Sequence, residues 1–184
     1  MRTLTVAAGI ASIMLPLSAA NAAVLSVGGP LSQNCYRAAL SGDTRNQGID
    51  SCSRALAEEP LRTRDRAGTL VNRGILEMAL GKDRLADADF DAAIRLDETL
   101  PDAWLNKGFL RLRRGDGRAA LPLLQSGIDR GARRQALAIF ARGVAYEQMG
   151  EFKSAYADLK RANELEPRWA MPKEYLASYR VEAR

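Results

Sequence analysis

A pattern of apolar and polar positions repeats along the chain from residue 67. The apolar segments VNRGILEMALG, LNKGFLRLRRG and FARGVAYEQMG each contain an internal glycine, and these glycines, Gly74, Gly108 and Gly143, are spaced 34 and 35 residues apart. A second glycine follows seven residues after each, and an alanine follows twelve residues after each. Self-similarity at this period is typical of a solenoid of stacked units rather than of a single globular core.

Each unit predicts two antiparallel helices. The early glycine lets a second helix approach its backbone closely, at a cost of about 1 kcal/mol in helix propensity. The later glycine ends the first helix as a left-handed C-cap. In the second helix, small residues flank a larger one on the same face, as in Ala86, Phe90 and Ala93. One such pair cannot bury its own apolar face, so the pairs must stack.

These features resemble the tetratricopeptide-repeat family. Trp104, Gly108, Gly115 and Ala120 occupy the signature positions in residues 101–134, and residues 67–100 and 136–169 match at several positions each. The resemblance implies an all-α, right-handed solenoid of antiparallel helix pairs.

Other segments depart from this pattern or complete it. Glu77 and Arg111 stand where the family usually has tyrosine. Residues 29–62 resemble a degenerate fourth unit. Within residues 170–184, a final helix over 173–181 is expected to cap the exposed end of the stack.

The two cysteines, Cys35 and Cys52, fall one on each helix of the degenerate unit. The family register implies that they face each other across the helix pair. In an oxidising compartment they are expected to form a disulfide whose 18-residue loop contributes about 3 kcal/mol. A redox-active or metal-binding pair is the rival interpretation, which the wide spacing disfavours.

Residues 1–22 have the pattern of a signal peptide, with Arg2 at the start, an uncharged and mostly apolar stretch over 4–17, and a cleavage signal ending at Ala22. The apolar run is short of the roughly 20 residues that a spanning helix needs. An N-terminal anchor is the alternative. The sequence therefore predicts that residues 23–184 form an exported protein, periplasmic or secreted, without a membrane span.

Charge and composition narrow the possible chemistry. The net charge is +5, with basic and acidic residues mixed along the chain, which indicates a solvated surface and no nucleic-acid partner. Histidine is absent, so Ser-His-Asp catalysis, Cys-His catalysis and histidine metal ligands are excluded. The densest acidic cluster lies on a predicted second helix and consists of Asp83, Asp87, Asp89 and Asp91. Its carboxylates are expected to be exposed to solvent. We expect no catalytic residue, no metal site and no cofactor.

The first helix of each pair is expected to line a concave groove. The family's groove positions correspond in this chain to Val71, Asn72, Ile75, Leu105, Asn106, Phe109, Leu112, Arg113, Phe140 and Val144. This surface is more apolar than a solvated face, and such patches usually mark interaction sites. Either the C-terminal helix and packing within the stack fill the groove, or a partner peptide lies there with Phe109 and Phe140 as anchors.

Two groove asparagines, Asn72 and Asn106, recur at equivalent positions. An asparagine amide both donates to and accepts from a peptide backbone, so it can hold an extended chain without reading its side chains. The lysine and arginine of the family's clamp for C-terminal carboxylates are replaced by apolar residues, which include Val71 and Ile75. A ligand of this groove is therefore expected to be more apolar than acidic.

The expected function is a non-catalytic protein–protein interaction module that binds a peptide or partner helix in the cell envelope. An accessory subunit that recruits a cell-wall or proteolytic enzyme, and a self-associating structural protein, are the alternatives. The sequence does not give the oligomeric state.

Overall fold

The computed structural model describes residues 4–8, 23–25, 28–43 and 46–183, with the backbone alone described at 4–8, 46 and 180–183. The helices of this part of the chain are α1 (Pro30–Ser41), α2 (Asn46–Glu58), α3 (Thr63–Ala79), α4 (Asp83–Leu96), α5 (Pro101–Arg113), α6 (Gly117–Asp129), α7 (Gln135–Gln148), α8 (Phe152–Leu165) and α9 (Ala170–Leu176). Two short strands, β1 (Leu4–Ala8) and β2 (Tyr179–Ala183), lie near the two ends of the sequence.

Consecutive helices form four pairs, α1 with α2, α3 with α4, α5 with α6 and α7 with α8. The first helices of successive pairs also contact each other, from α1 through α3 and α5 to α7, while each second helix contacts the first helix of the next pair. The prediction of an α-solenoid built from helix pairs is confirmed. The three clear units correspond to α3–α4, α5–α6 and α7–α8.

The repeated glycines act as the sequence predicts. Gly81, Gly115 and Gly150 end the first helices with φ of 73°, 74° and 77°, in the left-handed region that favours glycine. A Cβ atom added at Gly74 would lie 2.6 Å from Cε1 of Phe90, so this glycine is what lets α3 approach α4 closely.

The first pair is held together by two features of its own. A disulfide joins Cys35 on α1 to Cys52 on α2, and both cysteines are fully buried. Glu59, just after α2, accepts hydrogen bonds from the backbone N–H groups of Gly29, Leu31 and Ser32 at 3.1, 2.8 and 3.1 Å. The Glu59 carboxylate therefore caps the N-terminus of α1, where backbone N–H groups have no partner within the helix.

The C-terminal end differs from the prediction of one helix over 173–181. Helix α9 ends at Leu176, and the N–H and hydroxyl of Ser178 both donate to the carbonyl oxygen of Tyr175, at 3.1 and 2.7 Å. This local bonding competes with helix continuation. The following residues form β2, which pairs antiparallel with β1.

The predicted signal peptide overlaps this sheet, because residues 4–8 form β1. The remainder of residues 1–22, including the predicted cleavage position at Ala22, lies outside the described residues. Within the described part of the chain, no helix has both the length and the apolar character needed to cross a membrane.

The apolar core of the described residues divides into two clusters. One extends from α1 to α5 and includes Cys35, Ile75, Phe90 and Leu110. The other extends from α5 to the C-terminal end and includes Phe109, Leu124, Phe140, Leu159 and Tyr175. Helix α5 contributes side chains to both clusters, so the stack has one continuous layer of first helices.

Candidate functional site: the inner face

The inner face is the surface formed by the predicted groove residues of α3, α5 and α7. On α3, the Asn72 side chain binds the backbone of Val24 through two hydrogen bonds. The Val24 N–H donates to Oδ1 at 2.8 Å, and Nδ2 donates to the Val24 carbonyl oxygen at 2.7 Å. This is the backbone recognition that the asparagine chemistry predicts, and here a segment of the same chain occupies the site.

The segment formed by residues 23–25, here called the N-terminal arm, buries the Val24 side chain, while Ala23 packs partly buried against the N-terminal apolar cluster. Val24 is buried, whereas the next residue, Leu25, is 54% exposed. A Cβ atom added at Gly68 would lie 2.9 Å from Cγ1 of Val24, so the absence of a side chain at Gly68 makes room for the valine. The site therefore accepts one apolar side chain and both main-chain polar groups of the same residue.

The C-terminal part of the inner face is covered by aromatic side chains. Phe140 on α7 makes edge-to-face contacts with Trp169 and Tyr175, each at 5.0 Å between ring centroids. Tyr156 on α8 contacts Tyr179 at 5.8 Å. Edge-to-face packing of this kind adds to the burial of apolar area, so α9 is firmly seated on the end of the stack.

Nearly all of the predicted groove residues are buried in this structure. The buried set is Val71, Asn72, Ile75, Leu105, Asn106, Phe109, Leu112, Phe140 and Val144. Arg113 is half-buried, donates to the Met78 carbonyl oxygen and pairs with Asp83. Asn106 donates to the Asp102 carbonyl oxygen of its own helix, at 2.8 Å.

The alternative in which the C-terminal helix fills the groove describes Phe140, which Trp169 and Tyr175 cover. The N-terminal arm at Asn72 was in neither alternative. Phe109 and Phe140 belong to the core and are not exposed anchors. The repeat pattern identifies them as inward-facing but carries no information on the segments that cover them.

The prediction that the acidic cluster of α4 is exposed to solvent was wrong for Asp89, which is buried, whereas Asp83, Asp87 and Asp91 are partly exposed and ion-paired. Asp89 is 6% exposed. Asp87 is bound by Arg111, with Nη2 at 2.8 Å from Oδ2, and Asp83 by Arg113 and Arg114. Asp91 is the most exposed and pairs with Lys107. Most of these basic partners belong to the next repeat, so the cluster joins α4 to α5.

Sequence reasoning missed a repeated ion pair that is partly buried. Arg73 binds Asp89 through two hydrogen bonds of 2.7 Å, and Arg142 binds Asp158 in the same way, again at 2.7 Å. Each arginine precedes a repeat glycine, and each aspartate follows sixteen residues later. That recurrence is the signal that could have identified the pairs.

Two glutamates, the buried Glu77 and the half-buried Glu147, lie near the ends of first helices. Burial, the nearby Asp89 carboxylate and a hydrogen bond with that carboxylate raise the pKa of Glu77 to about 7, against the opposing effects of Arg73 and Lys82. Burial also raises the pKa of Glu147, which Tyr179 partly offsets. Around these glutamates and elsewhere among the described residues, no group of three His, Cys, Asp or Glu side chains is suited to hold a metal ion.

Comparison with known proteins agrees with this architecture. Residues 136–168 match the tetratricopeptide-repeat family model. No curated protein sequence matches the chain. One helix pair, α7–α8, therefore matches a tetratricopeptide repeat in sequence, and the other helix pairs with their glycine-capped turns have the same architecture.

Solved structures share the fold at low sequence identity. A crystal structure of MamA superposes with a TM-score of 0.62 at 21% identity, covering 77% of this chain and 80% of MamA. MamA 41-end from Desulfovibrio magneticus RS-1 gives 0.61 at 22% identity, covering 80% and 82%. The Arabidopsis OM64 TPR domain gives 0.59 at 19% identity, covering 63% and 95%. These likenesses establish the fold.

Proposed function

We propose that this protein is an exported, non-catalytic adaptor that binds an extended segment of a partner protein along its inner face. The observation that carries the proposal is the Asn72 amide, which holds both main-chain polar groups of Val24. A buried amide with this geometry recognises an extended backbone whatever the source of the chain.

The covering of the inner face is compatible with exchange. Residues 23–25 contribute two hydrogen bonds and one buried valine at Asn72 and Gly68. A partner segment that reproduces the same main-chain bonds and adds further apolar contacts would bind more strongly than the arm. The apolar residues of α3 around Asn72 favour an uncharged segment over an acidic one.

Export is proposed on two grounds. The arrangement of Arg2, the apolar stretch over 4–17 and the small residues before Ala22 is that of a cleavable signal peptide. The disulfide between Cys35 and Cys52 suits an oxidising compartment, such as a periplasm or the extracellular space.

Selection of peptides from a random library displayed on phage tests the binding function. Selected peptides are expected to bind the wild-type chain about tenfold or more tightly than an Asn72→Ala variant, because each of two lost hydrogen bonds contributes about 1 kcal/mol. Lys160→Ala, at an exposed position of the outer helix α8, is the matched control and should bind like wild type.

Failure to enrich any peptide, or equal binding to the Asn72→Ala variant, would contradict the proposal. Phe109→Ala and Phe140→Ala are poor probes of the site. Both side chains are buried in the core, and their truncation is expected to cost about 3–5 kcal/mol of stability.

A further inference from the structure

We propose that the N-terminal arm is a built-in competitor for the inner face, and that the partner segment it excludes is an extended chain with a valine-sized apolar side chain over Gly68. This inference rests on the proposed function and adds to it the preferred ligand and the means of regulation. It is argued from the contacts of Val24 with Asn72 and Gly68.

The main-chain contacts show what the Asn72 site selects. Asn72 is fully buried, and its amide oxygen and amide nitrogen each form a hydrogen bond with the same residue, at 2.8 and 2.7 Å. A ligand residue at this position must therefore offer both an N–H and a carbonyl oxygen in an extended conformation. Proline is excluded there because it has no N–H.

The side-chain contacts set the size of the anchored residue. A Cβ atom added at residue 68 would lie 2.9 Å from Cγ1 of Val24. Because Gly68 has no Cβ atom, it leaves space for a branched side chain. The following side chain, Leu25, is exposed, so the site does not restrict which residue a ligand has at that position. The arm thus occupies the site as a partner segment would, with one residue anchored and the next free.

The arm competes through proximity rather than through many contacts. A segment attached by a short linker acts at an effective concentration on the order of millimolar. If the intrinsic dissociation constant of the arm for its site is about 0.1 mM, a competing peptide therefore binds about tenfold more weakly to the chain that carries the arm. A partner with a longer matching segment displaces the arm, so the intact protein is selective against short apolar peptides.

A labelled peptide with the arm's own sequence, acetyl-AVLSVGG from residues 23–29, tests this inference by fluorescence polarisation with the full chain. Val24→Asp is expected to release the arm, because an unpaired carboxylate is costly to bury. Leu25→Asp adds the same charge at the neighbouring exposed residue and serves as the matched control. The peptide is expected to bind the Val24→Asp chain at least tenfold more tightly than the wild-type and Leu25→Asp chains.

Adding Asn72→Ala to Val24→Asp should abolish the gain in peptide binding. The inference is overturned if the peptide binds all chains equally, if it binds none of them, or if its binding survives Asn72→Ala. If library peptides still bind in an Asn72-dependent manner, the proposed function stands while the competitor role fails. Circular dichroism checks the helix content, and Val24→Pro, which removes the bonded N–H without adding a charge, is the second variant should Val24→Asp misfold.

Discussion

Replacing Glu77 by glutamine is expected to stabilise the protein at alkaline pH. Glu77 lies near the end of α3, is 7% exposed, and has a buried carboxylate oxygen, Oε2, that receives no hydrogen bond. The neighbouring arginine, Arg73, is fully engaged with Asp89 through two hydrogen bonds of 2.7 Å. Glu77 is therefore held in its neutral form by burial and by the adjacent carboxylate, and its ionisation is unfavourable in the folded state.

The size of the effect follows from the pKa of Glu77, which rises from the ordinary 4.5 to about 7. Between these values the folded protein keeps a proton that the unfolded chain has lost, so the free energy of unfolding falls as pH rises and is constant above about pH 7. At about 1.4 kcal/mol per pH unit the loss is at most about 3 kcal/mol. Relaxation of the site on ionisation lowers our expectation to about 1–3 kcal/mol.

Urea unfolding followed by circular dichroism at pH 5 and pH 8 measures this contribution. Glu77→Gln should exceed wild type by less than about 1 kcal/mol at pH 5, where the loss has only begun, and by about 1–3 kcal/mol at pH 8, because glutamine has no charge to bury. Glu174→Gln, at an exposed position of α9, is the control and should change neither value. A Glu77→Gln variant that is less stable than wild type at pH 8 would refute the reasoning, since it would show that the ionised carboxylate is stabilised in the folded protein.

Three further predictions concern contacts that hold the repeats. Glu59→Gln should lower the free energy of unfolding by about 1 kcal/mol at pH 7, which is the usual effect of losing a helix cap. At pH 3 the decrease should be smaller. The hydrogen bonds hold the pKa of Glu59 below its usual value against the effect of burial, so their stabilisation is present above about pH 4.5 and is lost on acidification. Reduction of Cys35–Cys52 by dithiothreitol should cost about 3 kcal/mol in urea unfolding, and an unchanged midpoint would contradict a stabilising disulfide. Asp158→Asn should lower the free energy of unfolding by about 2 kcal/mol in thermal melts. This is less than for a fully buried ion pair, because Arg142 is partly exposed. An unchanged melting temperature would refute a stabilising role of the Arg142–Asp158 pair.

The sequence predicted the solenoid well because the repeat signals are local. The spacing of Gly74 and Gly81, and the alternation of small and large residues around Phe90, describe one helix pair at a time. Stacking then follows from the need to bury the remaining apolar faces.

The repeat pattern could not predict how the inner face is covered, because the covering segments lie outside the repeats. Val24 reaches Asn72 across 48 residues of sequence, and no periodicity links the two. Likewise, Asp87 looks like a solvated residue within its own helix, and only the packing of α5 against α4 brings Arg111 to it. A repeating sequence pattern does not predict two kinds of contact. These are the contacts between a repeat and a segment outside the repeats, and the ion pairs between neighbouring units.

The sharing of α5 between the two apolar clusters has a consequence for how the solenoid opens. Leu110 of α5 packs in the N-terminal cluster and Phe109 in the C-terminal one. In a linear stack each unit is stabilised by its neighbours, so local unfolding starts at the terminal units and proceeds inward. Whichever end detaches first, α5 keeps its apolar contacts with the other cluster, and its amide hydrogens should be the last to exchange with deuterium.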